Sequence, residues 1–224
     1  MSKIISLNQA ITMTKDSVTL MVGGFLGTGA PERIIDALVA KNVQNLTLIA
    51  NDTAFPDRGI GKLVAAKQAA RVIVSHIGTN SETGRQMAEG SLAVELVPQG
   101  TLAERIRSGG SGLGGVLTPT GIGTFAAEGK EILHVDGKEY LLEKPLKADI
   151  ALIKATMADM AGNLIFRRTT RNFNPLMATA AKIVIAEVDT IVPAGAIDPD
   201  DVMLPGIFVD FMVPSCDQEV CQHG

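Results

Sequence analysis

The feature that most constrains the fold is an apolar run that breaks into glycines and restarts as a helix. Residues 20–22 (Leu-Met-Val) are apolar enough for a buried strand, and residues 23–29 then contain four glycines. From Pro31 onward, apolar residues recur at helical spacing, at Ile34, Ile35, Leu38 and Val39. The pattern predicts a strand, a glycine loop and a helix N-terminus, where free backbone N–H groups can face an anionic ligand.

The alternation of strand, turn and helix recurs along the chain with short connections. Apolar runs predict strands at 18–22, 45–50, 71–75, 92–97, 149–155, 164–166, 183–188 and 207–213. Helical spacing predicts helices that begin near Pro31 and at 59–70, 101–107 and 175–182. We therefore expect an α/β fold, with an open, mainly parallel sheet and helices on both faces. Asp136-Gly137 predicts a small β-hairpin appendage over 132–142.

The segment 108–123 interrupts this alternation, because seven of its sixteen residues are glycine. That glycine density argues against helix or strand. A flexible linker is one interpretation, but Val116, Leu117 and Ile122 are interleaved, which favours an ordered loop. We expect one domain over 1–213 and a polar, flexible tail over 214–224.

Composition excludes several classes of function. Aromatic residues make up 4% of the chain and tryptophan is absent, which argues against base-stacking surfaces for single-stranded nucleic acid. A net charge of −4 without a basic cluster argues against nucleic acid or anionic membrane as a partner. No apolar run has transmembrane length, and the N-terminus lacks a signal-peptide core, so a cytoplasmic protein is expected.

A metal site and a disulfide framework are not expected. The chain has two cysteines, and both lie close to the C-terminus. Cys216, Cys221 and His223 do not have the spacing of a structural zinc site.

Several polar residues at strand ends are candidates for chemistry. Gln99 lies where a predicted strand gives way to a helix, so its amide could donate to a developing oxyanion or could simply cap the helix. Asn51 and Asp52 end another strand with the same two interpretations. Ser75-His76 could imitate part of a catalytic triad, but no G-x-S-x-G motif surrounds any serine. The residues therefore offer a cofactor loop and an oxyanion donor without a convincing nucleophile.

The glycine loop itself has other possible interpretations. It could be only a tight turn between a strand and a helix, or a dinucleotide-binding loop with Asp52 as the ribose-binding acid. The spacing G-x-G-x-x-G is not met, however, and no Walker lysine follows.

The chain resembles the α subunit of the family I CoA-transferases over residues 3–213. The resemblance rests on Asp16 followed by Leu20-Met21-Val22-Gly23-Gly24-Phe25-Leu26-Gly27-Thr28-Gly29-Ala30-Pro31. Ser17 departs from the usual Gly or Asn. Four further blocks match in order, which are Leu48–Ala54, Val97–Glu104, Leu117–Thr124 and Arg171-Asn172-Phe173-Asn174-Pro175.

The resemblance implies a CoA-transferase/NagB-like fold and half of an enzyme. In such enzymes a glutamate of the β half attacks the acyl-CoA thioester and becomes a glutamyl-CoA thioester. This sequence lacks the Glu-Asn-Gly segment that carries it, so a β subunit is expected, with two α and two β chains. The resemblance gives Gln99 the oxyanion role, lets Asn51 line the pocket, and assigns coenzyme A to Gly23, Gly24, Phe25, Leu26, Gly27, Thr28 and Gly29.

The implied substrates are acetyl-, acetoacetyl- or butyryl-CoA and short-chain carboxylates. A stand-alone acyl-CoA hydrolase and a sugar-phosphate-sensing regulator on a related fold remain as alternatives. An assay of the single chain would test the first, and a helix-turn-helix or basic patch, which the sequence lacks, would favour the second.

Overall fold

A computed structural model describes residues 2–216 and shows an open sheet between two layers of helices. The strands are β1 (Thr19–Val22), β2 (Leu46–Ile49), β3 (Ala69–Val74), β4 (Ala93–Leu96), β5 (Val116–Thr118), β6 (Ile132–Val135), β7 (Lys138–Glu143), β8 (Ala148–Asp159), β9 (Leu164–Ile165), β10 (Ala181–Val192) and β11 (Phe211–Pro214). The helices are α1 (Leu7–Met13), α2 (Glu32–Lys41), α3 (Gly61–Ala65), α4 (Ser81–Ala88), α5 (Gln99–Gly110) and α6 (Asn174–Ala178).

The main sheet has the strand order β11-β10-β8-β1-β2-β3-β4, with β9 paired to β8. Every pair along that order is parallel, and β9 is antiparallel. Side chains alternate across the sheet, so Leu20 packs in one core with α2 and α3. Its neighbour Met21 packs in the opposite core with α5 and α6. The predicted α/β fold with helices on both faces is confirmed.

A three-stranded antiparallel sheet of order β5-β7-β6 forms the appendage. The predicted hairpin is its β6–β7 part, and its turn has positive φ at Asp136 (50°) and Gly137 (73°). Such a turn matches the strand twist and tolerates Asp-Gly well.

The glycine-rich segment is ordered, but the expectation that it excludes helix and strand is wrong. Gly109 and Gly110 close α5, and residues 116–118 form β5. A Cβ at Gly109 would lie 1.9 Å from the carbonyl oxygen of Leu146. The glycines therefore allow α5 to approach the loop that precedes β8 closely. This packing outweighs their poor helix propensity.

Other boundaries differ from the predictions. The helix expected over 59–70 is limited to α3, and the one over 175–182 ends at Ala178 because residue 181 already belongs to β10. The last strand starts at Phe211, after a 3-10 turn over Gly206–Phe208. Pro214 of the predicted tail belongs to β11, and residues 217–224 lie outside the described residues. Within residues 2–216, no helix is both long and apolar enough to cross a bilayer.

Candidate functional site

Three of the predicted site segments meet at one edge of the main sheet. The glycine loop (residues 23–29) follows β1, Asn51 follows β2, and Gln99 follows β4 as the first residue of α5. Because parallel strands end on the same side of a sheet, these segments share its carboxyl edge, where open α/β sheets bind ligands.

A chain of side-chain hydrogen bonds joins these segments. The Nε2 of Gln99 donates to the Oδ1 of Asn51 at 2.6 Å. The Nδ2 of Asn51 in turn donates to the Oδ2 of Asp52 at 2.6 Å, and the same oxygen accepts the N–H of Leu26 at 2.9 Å. Asn51 and Asp52 are buried whereas Gln99 is exposed. The network therefore links the exposed amide to the glycine loop through two buried side chains.

Asp52 is fully engaged as an acceptor. Its other oxygen, Oδ1, accepts the N–H of Ala54 at 2.7 Å, so its carboxylate receives donors from both sides. A carboxylate held in this way orients its donors, and both of its oxygens are engaged. The residue stabilises the site, and the structure gives it no nucleophilic role.

The glycine loop is shaped by contacts with a distant part of the chain. The N–H of Gly24 donates to the Oδ1 of Asn172 at 3.1 Å, and the Nδ2 of Asn172 donates to the carbonyl of Thr28 at 3.0 Å. Asn174 donates to the carbonyl of Gly29 at 3.0 Å. Both asparagines lie in a block that supported the family resemblance, but sequence reasoning gave them no role.

Close packing also explains why two loop positions are glycine. A Cβ at Gly23 would lie 1.7 Å from the Oδ1 of Asn174. A Cβ at Gly29, which has φ +72°, would lie 2.9 Å from the Cα of Thr170. Internal packing therefore requires glycine at both positions, whatever ligand the loop binds.

Most backbone donors of the loop are already used. Gly23 donates to Leu152, and Phe25 and Thr28 donate to each other's carbonyls at 3.0 and 2.9 Å. With Gly24 and Leu26 bonded to side chains, only the N–H groups of Gly27 and Gly29 donate to no described residue. The loop thus offers fewer free donors than its glycine content indicates.

The first turn of α2 is also occupied. Glu187 of β10 is buried, and one of its oxygens accepts the N–H of Ile34 at 3.0 Å. Its carboxylate also faces the backbone N–H of Arg33. The expectation that this helix N-terminus has free N–H groups for an external anion is wrong, because an internal carboxylate fills it.

Lys154 balances the charge of Glu187. Its Nζ lies 3.1 Å from Glu187 and 2.5 Å from Asp189. Burial raises the pKa of Glu187 above the ordinary value, although Lys154 and the N–H groups of α2 oppose the shift. Neither Glu187 nor Lys154 was predicted, because a charged residue inside a strand gives no signal of its partner on a remote helix.

A groove of about 520 Å³ opens beside Gln99, between the first turns of α5 and β5. It is lined by Pro98, Gly100, Thr101, Glu104, Arg107, Val116, Leu117, Thr118 and Thr120. The groove offers space for a small molecule near the start of α5, although Gln99 itself is not among its lining residues.

The other candidate chemistry is not assembled. The hydroxyl of Ser75 donates to the carbonyl of Asn51 at 2.6 Å, so Ser75 is not activated by the exposed His76. Residues 2–216 contain no group of three or more His, Cys, Asp or Glu side chains placed to hold a metal ion. Cys221 and His223 of the rejected metal cluster lie outside the described residues.

Comparison with known proteins identifies the family of a chain with this fold and this edge of polar residues. Residues 4–215 match the family described as Coenzyme A transferase, so the chain belongs to the coenzyme A transferase family. It is 52% identical to the acetate CoA-transferase subunit alpha of Escherichia coli K12, covering 96% of this chain and 97% of that protein. It is 50% identical to the alpha subunit of the acetoacetyl-CoA:acetate/butyrate CoA transferase of Clostridium acetobutylicum, covering 95% and 97%.

A solved structure shows the same fold. An acyl-CoA transferase from E. coli O157:H7, in a thioester complex with CoA, superposes with a TM-score of 0.86 at 25% identity. The match covers 95% of this chain and 47% of that chain, so the present chain corresponds to about half of the solved one.

Proposed function

We propose that this chain is the α subunit of a CoA-transferase that moves CoA between an acyl-CoA and a short-chain carboxylate. The observation that carries the proposal is its near full-length similarity, at 50–52% identity, to alpha subunits named for acetate, acetoacetyl-CoA and butyrate. Acetate, acetoacetate and butyrate are accordingly the acids we assign to it, in a cytoplasmic enzyme.

The attacking carboxylate comes from a β subunit. At the carboxyl edge of the sheet, the carboxylate of Asp52 is fully occupied by N–H donors, and Ser75 is bonded to backbone. The residues described here supply a donor and a loop but no free nucleophile at this edge. A glutamate of the partner attacks the thioester and becomes the glutamyl-CoA intermediate, which divides a difficult exchange into easier steps. Two α and two β chains form the enzyme.

Gln99 stabilises the oxyanion that develops during that attack. A glutamine amide has two N–H groups, and one of them is bonded to Asn51. The other remains for the carbonyl oxygen of the thioester, and a preorganised donor of this kind contributes about 3 kcal/mol to the transition state. Asn51 lines the same pocket and fixes the orientation of the amide.

Coenzyme A contacts the loop of residues 23–29. The exposed Phe25 and Thr28 at its tip and the free N–H groups of Gly27 and Gly29 are the available contacts. Binding energy from the nucleotide end of CoA is used to orient the thioester at the reacting centre.

The test is reconstitution with a CoA-transferase β subunit. The α chain alone, the β chain alone and the complex are assayed for CoA transfer from acetoacetyl-CoA to acetate. We expect transfer only by the complex, and mass spectrometry should locate the CoA thioester on a glutamate of the β chain. Full-rate exchange by the isolated α chain would refute the proposal, and thioester hydrolysis without exchange would favour the hydrolase instead.

A further inference from the structure

The segment that packs on the glycine loop carries an unusual concentration of positive charge. We call residues 167–174 the arginine segment, because it contains Arg167, Arg168 and Arg171. All three side chains are exposed. No acidic residue occurs in the sequence between Asp159 and Glu187.

These arginines differ from the others in the chain. Among the described residues, none of their guanidinium groups has a hydrogen-bond, ion-pair or aromatic-ring partner. Each remaining arginine has such a partner. Arg71 pairs with Glu95, Arg85 with Glu82 and Glu89, Arg105 with Glu95 and Glu143, and Arg107 with Glu104. Arg33 donates to the carbonyl of Pro214, and Arg58 lies over the ring of Phe55. Unpaired positive charge of the arginines is therefore confined to one short segment.

The arginine segment is fixed against the loop rather than free of it. Thr170 limits the space at Gly29, and Asn172 bonds to the backbone of Gly24 and Thr28. Arg168 has φ +51°, a left-handed conformation that is unfavourable for a residue with a side chain. Local strain maintained by its surroundings is found at functional sites more than elsewhere.

The loop itself cannot neutralise a highly charged ligand. Glu187 fills the N-terminus of α2, and within residues 2–216 only the N–H groups of Gly27 and Gly29 in the loop have no acceptor. A ligand with several phosphate groups needs further positive charge near the loop. Arginine suits this task, since its planar fork can bind phosphate oxygens with two N–H groups.

We propose that the arginine segment binds the phosphate groups at the nucleotide end of coenzyme A. The inference rests on the proposed function, and it deepens that function by assigning a subsite for the phosphates. Arg167, Arg168 and Arg171 would hold these groups while the loop contacts the remainder of CoA.

The test uses the reconstituted complex with the variant Arg167→Gln, Arg168→Gln, Arg171→Gln. We expect the KM for acetoacetyl-CoA to rise about 30-fold, because charge-assisted contacts to phosphate are lost. The KM for acetate and the turnover at saturating acyl-CoA should stay unchanged. Acetoacetyl-pantetheine, which lacks the nucleotide, should react equally with wild type and variant. Adenosine 3′,5′-bisphosphate should bind the wild-type complex in calorimetry and bind the variant far more weakly.

A matched control removes the same charge from the opposite edge of the sheet. Exposed lysines lie just before β1, β3 and β8, and the control variant is Lys15→Gln, Lys67→Gln, Lys147→Gln. Its KM for acetoacetyl-CoA should match wild type. A third variant with lysine at the three arginine positions keeps the charge and should recover part of the affinity.

The outcomes separate this inference from the proposed function. If the wild-type complex transfers CoA but the glutamine variant shows the KM of the lysine control, the phosphate subsite is wrong. If the glutamine variant fails to bind the β subunit while the lysine control assembles, the arginines serve that interface and the subsite is equally refuted. Absence of transfer by the wild-type complex would instead refute the function.

Discussion

The Nε2 of Gln99 lies 2.6 Å from the Oδ1 of Asn51, although the two residues follow different strands and are 48 positions apart. The contact uses one N–H of the amide and fixes the direction of the other. Because Asn51 is itself anchored on the buried Asp52, an exposed donor is held by a rigid support. Such preorganisation is what makes a hydrogen-bond donor effective in a transition state.

Replacement of Gln99 should affect turnover rather than assembly. For Gln99→Ala we expect kcat of the reconstituted complex to fall about 100-fold, because one oxyanion donor is lost. Size-exclusion chromatography should show an intact complex, since the side chain is exposed. Gln44→Ala, which removes a side-chain amide that donates to Asn42, is the control. Wild-type turnover of Gln99→Ala would rule out the oxyanion assignment.

Asp52→Asn should disturb both the loop and the amide pair. The substitution exchanges one acceptor oxygen for a donor nitrogen, while Leu26, Ala54 and Asn51 all present N–H groups to this side chain. A buried donor left unpaired costs about 1–3 kcal/mol, so urea unfolding should show a loss of that size. Turnover should fall about 10-fold because Asn51 loses its anchor. The exposed neighbour Asp57→Asn should change neither quantity, and equal behaviour of the two variants would contradict the network.

Gly23→Ala should be strongly destabilising. The added Cβ would lie 1.7 Å from Asn174, which also accepts the N–H of Lys154 at 2.9 Å and cannot move without losing that bond. We expect a loss of about 3 kcal/mol in the free energy of unfolding. Gly84→Ala in α4, where a Cβ would meet nothing within 4 Å, should instead gain about 1 kcal/mol. Similar stability of the two variants would show that the loop relaxes easily.

The stability of the variant Glu187→Gln relative to wild type should increase as the pH rises. Burial raises the pKa of Glu187 in the folded protein above the ordinary 4.5, so ionisation favours the unfolded chain. Its contribution to stability is therefore complete below the unfolded pKa and is lost as the pH rises through the folded pKa. Glutamine has no such term, so the Tm of the variant minus that of wild type should increase from acidic to neutral pH. A difference that stays flat with pH would contradict this assignment.

Local patterns were enough to predict the sheet and to place the candidate residues at one of its edges. The alternation of apolar runs with helical spacing indicated parallel strands, and strand ends at Asn51 and Gln99 indicated a shared edge. The Asp136-Gly137 turn followed from its dipeptide, because the required backbone conformation depends on those residues alone.

What the sequence could not show depends on contacts between distant residues. Asn172 reaches Gly24 across 148 positions, and Glu187 reaches Ile34 across 153. Nothing near Gly109 in the chain reveals that α5 must approach Leu146 so closely. The glycines therefore looked like breaks in structure or a ligand loop, while several of them are requirements of packing.

The dependence of the glycine loop on Asn172 and Asn174 has a consequence for how the site is made. All residues predicted for the site lie within the first 99 positions, yet a fragment ending at Lys147 would lack β8, the partner of β1, and both asparagines. On the ribosome, the amino-terminal half must therefore await synthesis of the carboxyl-terminal half before its own loop acquires a defined shape.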